Sequence, residues 1–99
     1  MKNRIDACFE KLKAENKKAL VTFITAGDPD MDTTEKCVLE MYKKGSDIIE
    51  IGVPFSDPIA EVATIQKASL RSLSGGTNLD KIFDLVRKLR TQTDKPMLL

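Results

Sequence analysis

The run Ile48-Ile49-Glu50-Ile51-Gly52-Val53-Pro54-Phe55-Ser56-Asp57-Pro58-Ile59-Ala60-Glu61 decides the fold. Its first half is almost continuously apolar, as in a strand buried on both faces of a parallel sheet. One carboxylate, Glu50, interrupts it. Burying a lone charge costs several kcal/mol, so an acid here is paired, neutralised or functional, and a buried Glu50 is the expectation. Gly52 and Pro54 then break the strand into a loop that carries Asp57 and a second acid, Glu61. A strand acid followed by a loop acid is a common frame for general acid–base chemistry.

Working outward, Ile5, Cys8, Phe9 and Leu12 space out as the stripe of a short amphipathic helix. Residues 19–25 are rich in β-branched and aromatic side chains and predict a first strand. Ala26-Gly27-Asp28-Pro29-Asp30 is a turn, and Asp32 with Glu35 resembles a capping box for the helix that follows. Thr34, Cys37, Val38, Met41 and Tyr42 mark that helix's apolar face, and Gly45 stops it. Residues 47–53 form the second strand. Val62, Ile65, Ser69, Leu70 and Leu73 predict a third helix, closed at Ser74-Gly75-Gly76. Thr77 with Asp80 opens a fourth, striped by Leu79, Ile82, Phe83, Val86 and Leu89, and Lys95-Pro96-Met97-Leu98-Leu99 reads as a third strand.

This alternation predicts an α/β fold of about three parallel strands joined by right-handed helical crossovers. Functional groups in such units collect at the C-terminal ends of strands, here residues 25–28 and 53–61. Period-two alternation puts Ile48, Glu50 and Gly52 on one face and Ile49, Ile51 and Val53 on the other. The apolar set suits packing against helices, so Glu50 is expected on the opposite face.

Composition removes several function classes. Sixteen basic and fifteen acidic residues give a net charge of +1, without the basic stripe that nucleic-acid binding needs. Lys11, Lys13, Lys17 and Lys18 alternate with Glu10 and Glu15 as a solvated helix face. No apolar run approaches the roughly 20 residues of a membrane span, and no signal-peptide core follows Met1. Cys8 and Cys37 lack metal-like spacing and are expected as small core residues in a reducing cytoplasm. There is no histidine, which removes a Ser-His-Asp triad and histidine-ligated metals. Carboxylates are the first candidates for acid–base chemistry, and no metal site is expected.

Three segments together carry a resemblance. Phe23-Ile24-Thr25-Ala26-Gly27-Asp28-Pro29, Glu50-Ile51-Gly52-Val53-Pro54-Phe55-Ser56-Asp57-Pro58, and Thr64-Ile65-Gln66 with Ala68-Ser69-Leu70-Arg71 resemble the tryptophan synthase alpha chain family. The likeness spans essentially the whole chain but only the N-terminal two-fifths or so of that family's barrel. It implies a partial TIM (β/α)8 barrel, with residues 1–99 forming the N-terminal part of a single domain. It also implies a cytoplasmic lyase of tryptophan biosynthesis, which cleaves indole-3-glycerol phosphate to indole and glyceraldehyde 3-phosphate by a retro-aldol step.

By the resemblance, Glu50 is the acid–base carboxylate and Glu61 the second catalytic carboxylate, accepting the indole N–H. Phe23 and Ile65 line the indole pocket, and Pro54 and Asp57 contact a partner. That partner is a beta chain carrying pyridoxal phosphate, in an alpha2-beta2 tetramer; the alpha chain itself uses no cofactor. Where the family reads Asp-Gly-Pro, this chain reads Glu61-Val62-Ala63. The change lengthens the carboxylate by a methylene, and a displacement of about 1 Å can cost ~10²-fold in rate. Phosphate-binding loops after strands 7 and 8 have no counterpart here, so the 99-residue chain alone is expected to be inactive. The alternative is a non-catalytic, degenerate fragment that acts only by binding another chain.

Overall fold

A computed structural model describes residues 3–54 and 62–99. Four helices and three strands follow in the order α1 (Arg4–Ala14), β1 (Val21–Thr25), α2 (Met31–Lys43), β2 (Ile48–Gly52), α3 (Ala63–Ser74), α4 (Leu79–Arg90) and β3 (Met97–Leu98). The strands form one sheet in the order β1-β2-β3. Both pairings are parallel, with Phe23 opposite Glu50, Thr25 opposite Gly52 and Glu50 opposite Leu98. The α/β architecture predicted from the alternation is the one observed.

The core lies on one side of the sheet. Ile49 and Ile51 point into it and are fully buried, packed with the buried Ala26, Val38, Tyr42, Ile82, Leu85 and Leu89 from the preceding turn, α2 and α4. Complete burial of an Ile or Leu side chain contributes about 1.5–3 kcal/mol, so this layer holds β1 and β2 in register. Ile24, Val53 and Met97 pack against the same cluster. The Tyr42 hydroxyl donates to the Pro96 carbonyl and ties α2 to the approach of β3. At the other end of the strands, Asp47 accepts from the Leu20 amide at 2.8 Å, and the Cys8 thiol of α1 lies 4.0 Å from the Asp47 carbonyl. Partial burial, then the nearby Asp47 carboxylate, push the Cys8 thiol pKa up.

Several local expectations are corrected. Cys37 is exposed and Cys8 only partly buried; neither is a core residue. The α2 N-cap is Asp30, whose side chain accepts from the Thr33 amide, and Asp32 falls in the first turn. The α4 N-cap is Asn78, accepting from Lys81. In α4 the buried residues are Ile82, Leu85 and Leu89, while Leu79 and Phe83 stay half exposed. Gly45 stops α2 as expected, at φ +122°, which a side chain would resist. Among the described residues no helix is long and apolar enough to cross a membrane.

Candidate functional site

The strand face away from the α2/α4 core carries Val21, Phe23 and Thr25 of β1 with Ile48, Glu50 and Gly52 of β2. This is the alternation read from the sequence, and it puts Glu50 beside Phe23. Glu50 itself is exposed rather than buried. The expectation failed because it took a strand flanked by isoleucines as covered on both faces. Here α2 and α4 cover only the other face, and although Ile48 on Glu50's side is buried, Val21 and Leu98 there are 50% and 46% exposed. Among the described residues Glu50 forms no ion pair and no side-chain hydrogen bond.

A cleft of about 400 Å³ opens over this face at the C-terminal ends of the strands, lined by Phe23, Thr25, Glu50, Gly52, Val53, Ile65, Ser69 and Leu99. Its shape depends on Gly52. A Cβ there would lie 2.4 Å from Cζ of Phe23, so the ring lies across the glycine and any side chain at this position would push it aside. Ile65 reaches the cleft from the first turn of α3. The expected indole-lining pair, Phe23 and Ile65, therefore sits together around Glu50.

The site is held by contacts between the β1–α2 turn and α3. Arg71 donates from Nε and Nη2 to both oxygens of Asp28, each at 2.9 Å. The ion pair raises the Arg71 pKa further. Ser72 donates to the Ala26 carbonyl at 2.6 Å and lies 2.8 Å from the Thr77 hydroxyl. Gly27, at φ +80°, donates to Thr34 Oγ1 at 2.9 Å. A Cβ on Gly27 would come within 2.1 Å of Thr77 Oγ1, so the turn and the α3–α4 loop meet at a point where no side chain fits. The bidentate pair and the Ser72 bond to Ala26 fix α3, and with it Ile65 and Ser69, over the strand ends, while the Gly27 bond to Thr34 ties the same turn to α2.

Asp57 and Glu61 lie outside the described residues, and Pro54 is buried. The sequence reading missed Gly52, whose bare Cα makes room for Phe23, and the Asp28–Arg71 clamp; a strand glycine beside a phenylalanine register was the available signal for the first. A second concavity of about 720 Å³ lies between α2 and α4. It is larger, and most of its charged groups are engaged, Glu35 with Lys88 at 3.6 Å and Gln92 at 2.8 Å, Arg87 with Asp84, and Lys81 with the Gly76 carbonyl, while Asp32 stands exposed in the first turn of α2. The Gln92 bond, with Lys88 nearby, holds the Glu35 carboxyl below its ordinary range. That groove is a helix–helix seam, and the smaller cleft, at the C-terminal ends of the strands, is the candidate site. Among the described residues no cluster of His, Cys, Asp and Glu could hold a metal ion.

Known proteins resemble the chain along nearly its whole length. The family model for the tryptophan synthase alpha chain matches residues 9–99. The tryptophan synthase alpha chain of Geotalea uraniireducens (strain Rf4) is 57% identical over 97 residues, covering 98% of this chain and 36% of that relative. The crystal structure of tryptophan synthase subunit alpha from Legionella pneumophila str. Paris superposes with a TM-score of 0.93 at 42% identity, covering 97% of this chain and 37% of the other. A tryptophan synthase complex from Pyrococcus furiosus matches with a TM-score of 0.76 at 38% identity, over 80% of this chain and 32% of that one. The chain thus spans a little over a third of the length of the relatives it matches.

Proposed function

We propose, from the premise that the chain belongs to the tryptophan synthase alpha chain family, that its Glu50 face is the acid–base side of a site for retro-aldol cleavage of indole-3-glycerol phosphate. The observation that carries this reading is Glu50 itself. It is a carboxylate without an ion pair among the described residues, set between Phe23 and Ile65 in a cleft at the strand ends.

The chemistry needs one group that both gives and takes a proton. Protonated Glu50 delivers its proton to the ring carbon that bears the glycerol chain. The resulting carboxylate removes the proton of the adjacent hydroxyl, and the carbon–carbon bond breaks. Its electron pair returns to the ring as indole, and the oxygen becomes the aldehyde of glyceraldehyde 3-phosphate. Phe23 and Ile65 hold the ring flat against the cleft, which fixes the reacting carbon relative to Glu50. Glu61, from the sequence likeness, is the second carboxylate and receives the indole N–H while positive charge builds on the ring.

The reading extends to a cytoplasmic setting, to no cofactor in this chain, and to a pyridoxal-phosphate-bearing beta chain as partner in an alpha2-beta2 assembly, with Pro54 and Asp57 at the contact. The match to a tryptophan synthase complex supports a partner of that kind. Phosphate binding falls to barrel units outside these 99 residues, so the chain by itself releases no indole above background. Fused or assembled with the remaining units of the Geotalea relative, it releases indole from indole-3-glycerol phosphate, and Glu50→Gln lowers that rate by at least about 10²-fold. Turnover unaffected by Glu50→Gln would overturn the assignment. An assembled, folded barrel without turnover would favour the second reading, a binding subunit, which the lengthened Glu61-Val62-Ala63 segment supports.

A further inference from the structure

Five polar residues are buried among the described residues: Thr25, Thr34, Ser46, Ser69 and Ser72. Three have their hydroxyls bonded. Thr34 donates to the Asp30 carbonyl and accepts from Gly27, Ser46 reaches Thr22 and the Ile48 carbonyl, and Ser72 reaches Ala26 and Thr77. The other two, Thr25 at 7% and Ser69 at 2% exposure, have no side-chain hydrogen bond among the described residues. Both line the cleft that holds Glu50. A buried hydroxyl without a partner is uncommon and costly in a folded protein. Two in one cleft, and none elsewhere in the described interior, is a pattern that packing alone does not produce.

Position sharpens this. Thr25 follows Phe23 by two residues on the same strand face and stands opposite Gly52, so it is diagonal to Glu50. Ser69 is one helical turn beyond Ile65 on the same face of α3. The two hydroxyls therefore flank the strand end while Phe23 and Ile65 provide apolar surface beside them. Charge selects the ligand. Among the described residues of the lining Glu50 is the one charged group, and no lysine or arginine joins it. A phosphate here would meet a carboxylate and no cation, whereas a neutral hydroxyl both donates and accepts.

We propose that Thr25 and Ser69 are binding residues for the neutral, hydroxylated segment of the ligand, leaving its phosphate to be held elsewhere. This rests on the assignment of the cleft above and adds to it the residues that read the polyol chain. Specificity follows, because a site with unpaired buried hydroxyls favours a ligand that satisfies them over one that leaves them empty.

The test uses the isotope-labelled 99-residue chain, titrated by NMR with indole-3-glycerol phosphate and, separately, with indole-3-propyl phosphate, which lacks both chain hydroxyls. The hydroxylated compound is expected to bind tighter by roughly 2- to 10-fold for each hydroxyl satisfied, with resonances of Thr25 and Ser69 shifting only for it. In Thr25→Val and Ser69→Ala the preference shrinks stepwise, while Thr25→Ser keeps it. The melting temperature of both apolar variants stays level or rises, since no native bond is lost; hydroxyls with a structural role would lower it. Equal affinity for the two compounds, with shifts at Phe23 and Ile65, would overturn the polyol assignment and leave the indole pocket standing. A preference that survives in the double variant would also overturn it. Binding of neither compound would remove both this inference and the assignment of the cleft.

Discussion

The two faces of the β1-β2-β3 sheet are built from alternate residues of the same strands, yet they are packed differently. Toward α2 and α4, Ile49 and Ile51 are completely buried and the interior hydroxyls of Thr34, Ser46 and Ser72 are bonded. Toward the cleft, Phe23 and Val21 are about half exposed, Glu50 stands without an ion pair among the described residues, and Thr25 and Ser69 have unused hydroxyls. One face stabilises the fold. The other retains unsatisfied chemistry, which is where a ligand gains most by binding.

The contrast can be broken first in the core. Ile51→Ala removes a fully buried side chain and is expected to cost about 2–5 kcal/mol, read as a fall in urea midpoint. Val21→Ala, on the open face and half exposed, should cost less than about 1 kcal/mol. Equal losses would show that the open face is packed in solution.

Next comes the junction of the two regions. Gly27→Ala places a Cβ 2.1 Å from Thr77 Oγ1 at a backbone φ of +80° and is expected to destabilise by about 1–3 kcal/mol. It should also disturb Ile65 and Ser69 resonances, because the turn and α3 share that contact. A stability loss without any change at α3 would refute the coupling.

Acid provides a smaller perturbation confined to the helical side. The Thr33 amide capped by Asp30, and the Gln92 bond to Glu35, hold both carboxyls below their ordinary values in the folded chain. Folding therefore favours their deprotonated forms. That contribution is complete above the unfolded carboxyl range, about pH 4, and is lost as pH falls through the folded values. Asp30→Ala and Glu35→Gln should lower the melting temperature modestly at neutral pH and flatten its acid limb. An unchanged acid limb would show that these two groups do not govern it.

The smallest expected effect on stability is the most informative about function. Glu50→Gln should leave the melting temperature close to that of the native chain, since the exposed carboxylate forms no ion pair among the described residues. The same substitution should abolish turnover in an assembled barrel. A large melting shift would move Glu50 to the stabilising face of the comparison.

Much of this arrangement was legible in the sequence. Period two placed Glu50 with Ile48 and Gly52 and set Ile49 and Ile51 opposite, and the register confirms it. The helices were found, but their buried faces were not fully read. In α4, Leu79 and Phe83 belong to the apolar stripe yet stay exposed, while Leu85 is buried. Periodicity fixes a stripe, but the crossing angle decides which edge of it meets the neighbour. Caps slipped for a related reason: Asp30, Asp32, Thr77 and Asn78 are all competent caps, and the local backbone chooses among them.

The sequence by itself determined the order of elements, the parallel sheet, the face that bears Glu50, and the family, because these follow from periodicity, turn chemistry and a long specific stretch of residues. Tertiary structure alone decided that Glu50 is exposed, that Phe23 lies across Gly52, that Arg71 clasps Asp28, and that Thr25 and Ser69 are buried without side-chain partners among the described residues. Burial and hydrogen bonding are properties of what stands opposite a residue in space. For the stretch from Ile48 onward, what stands opposite comes from β1, α3 and α4, and no local pattern encodes it.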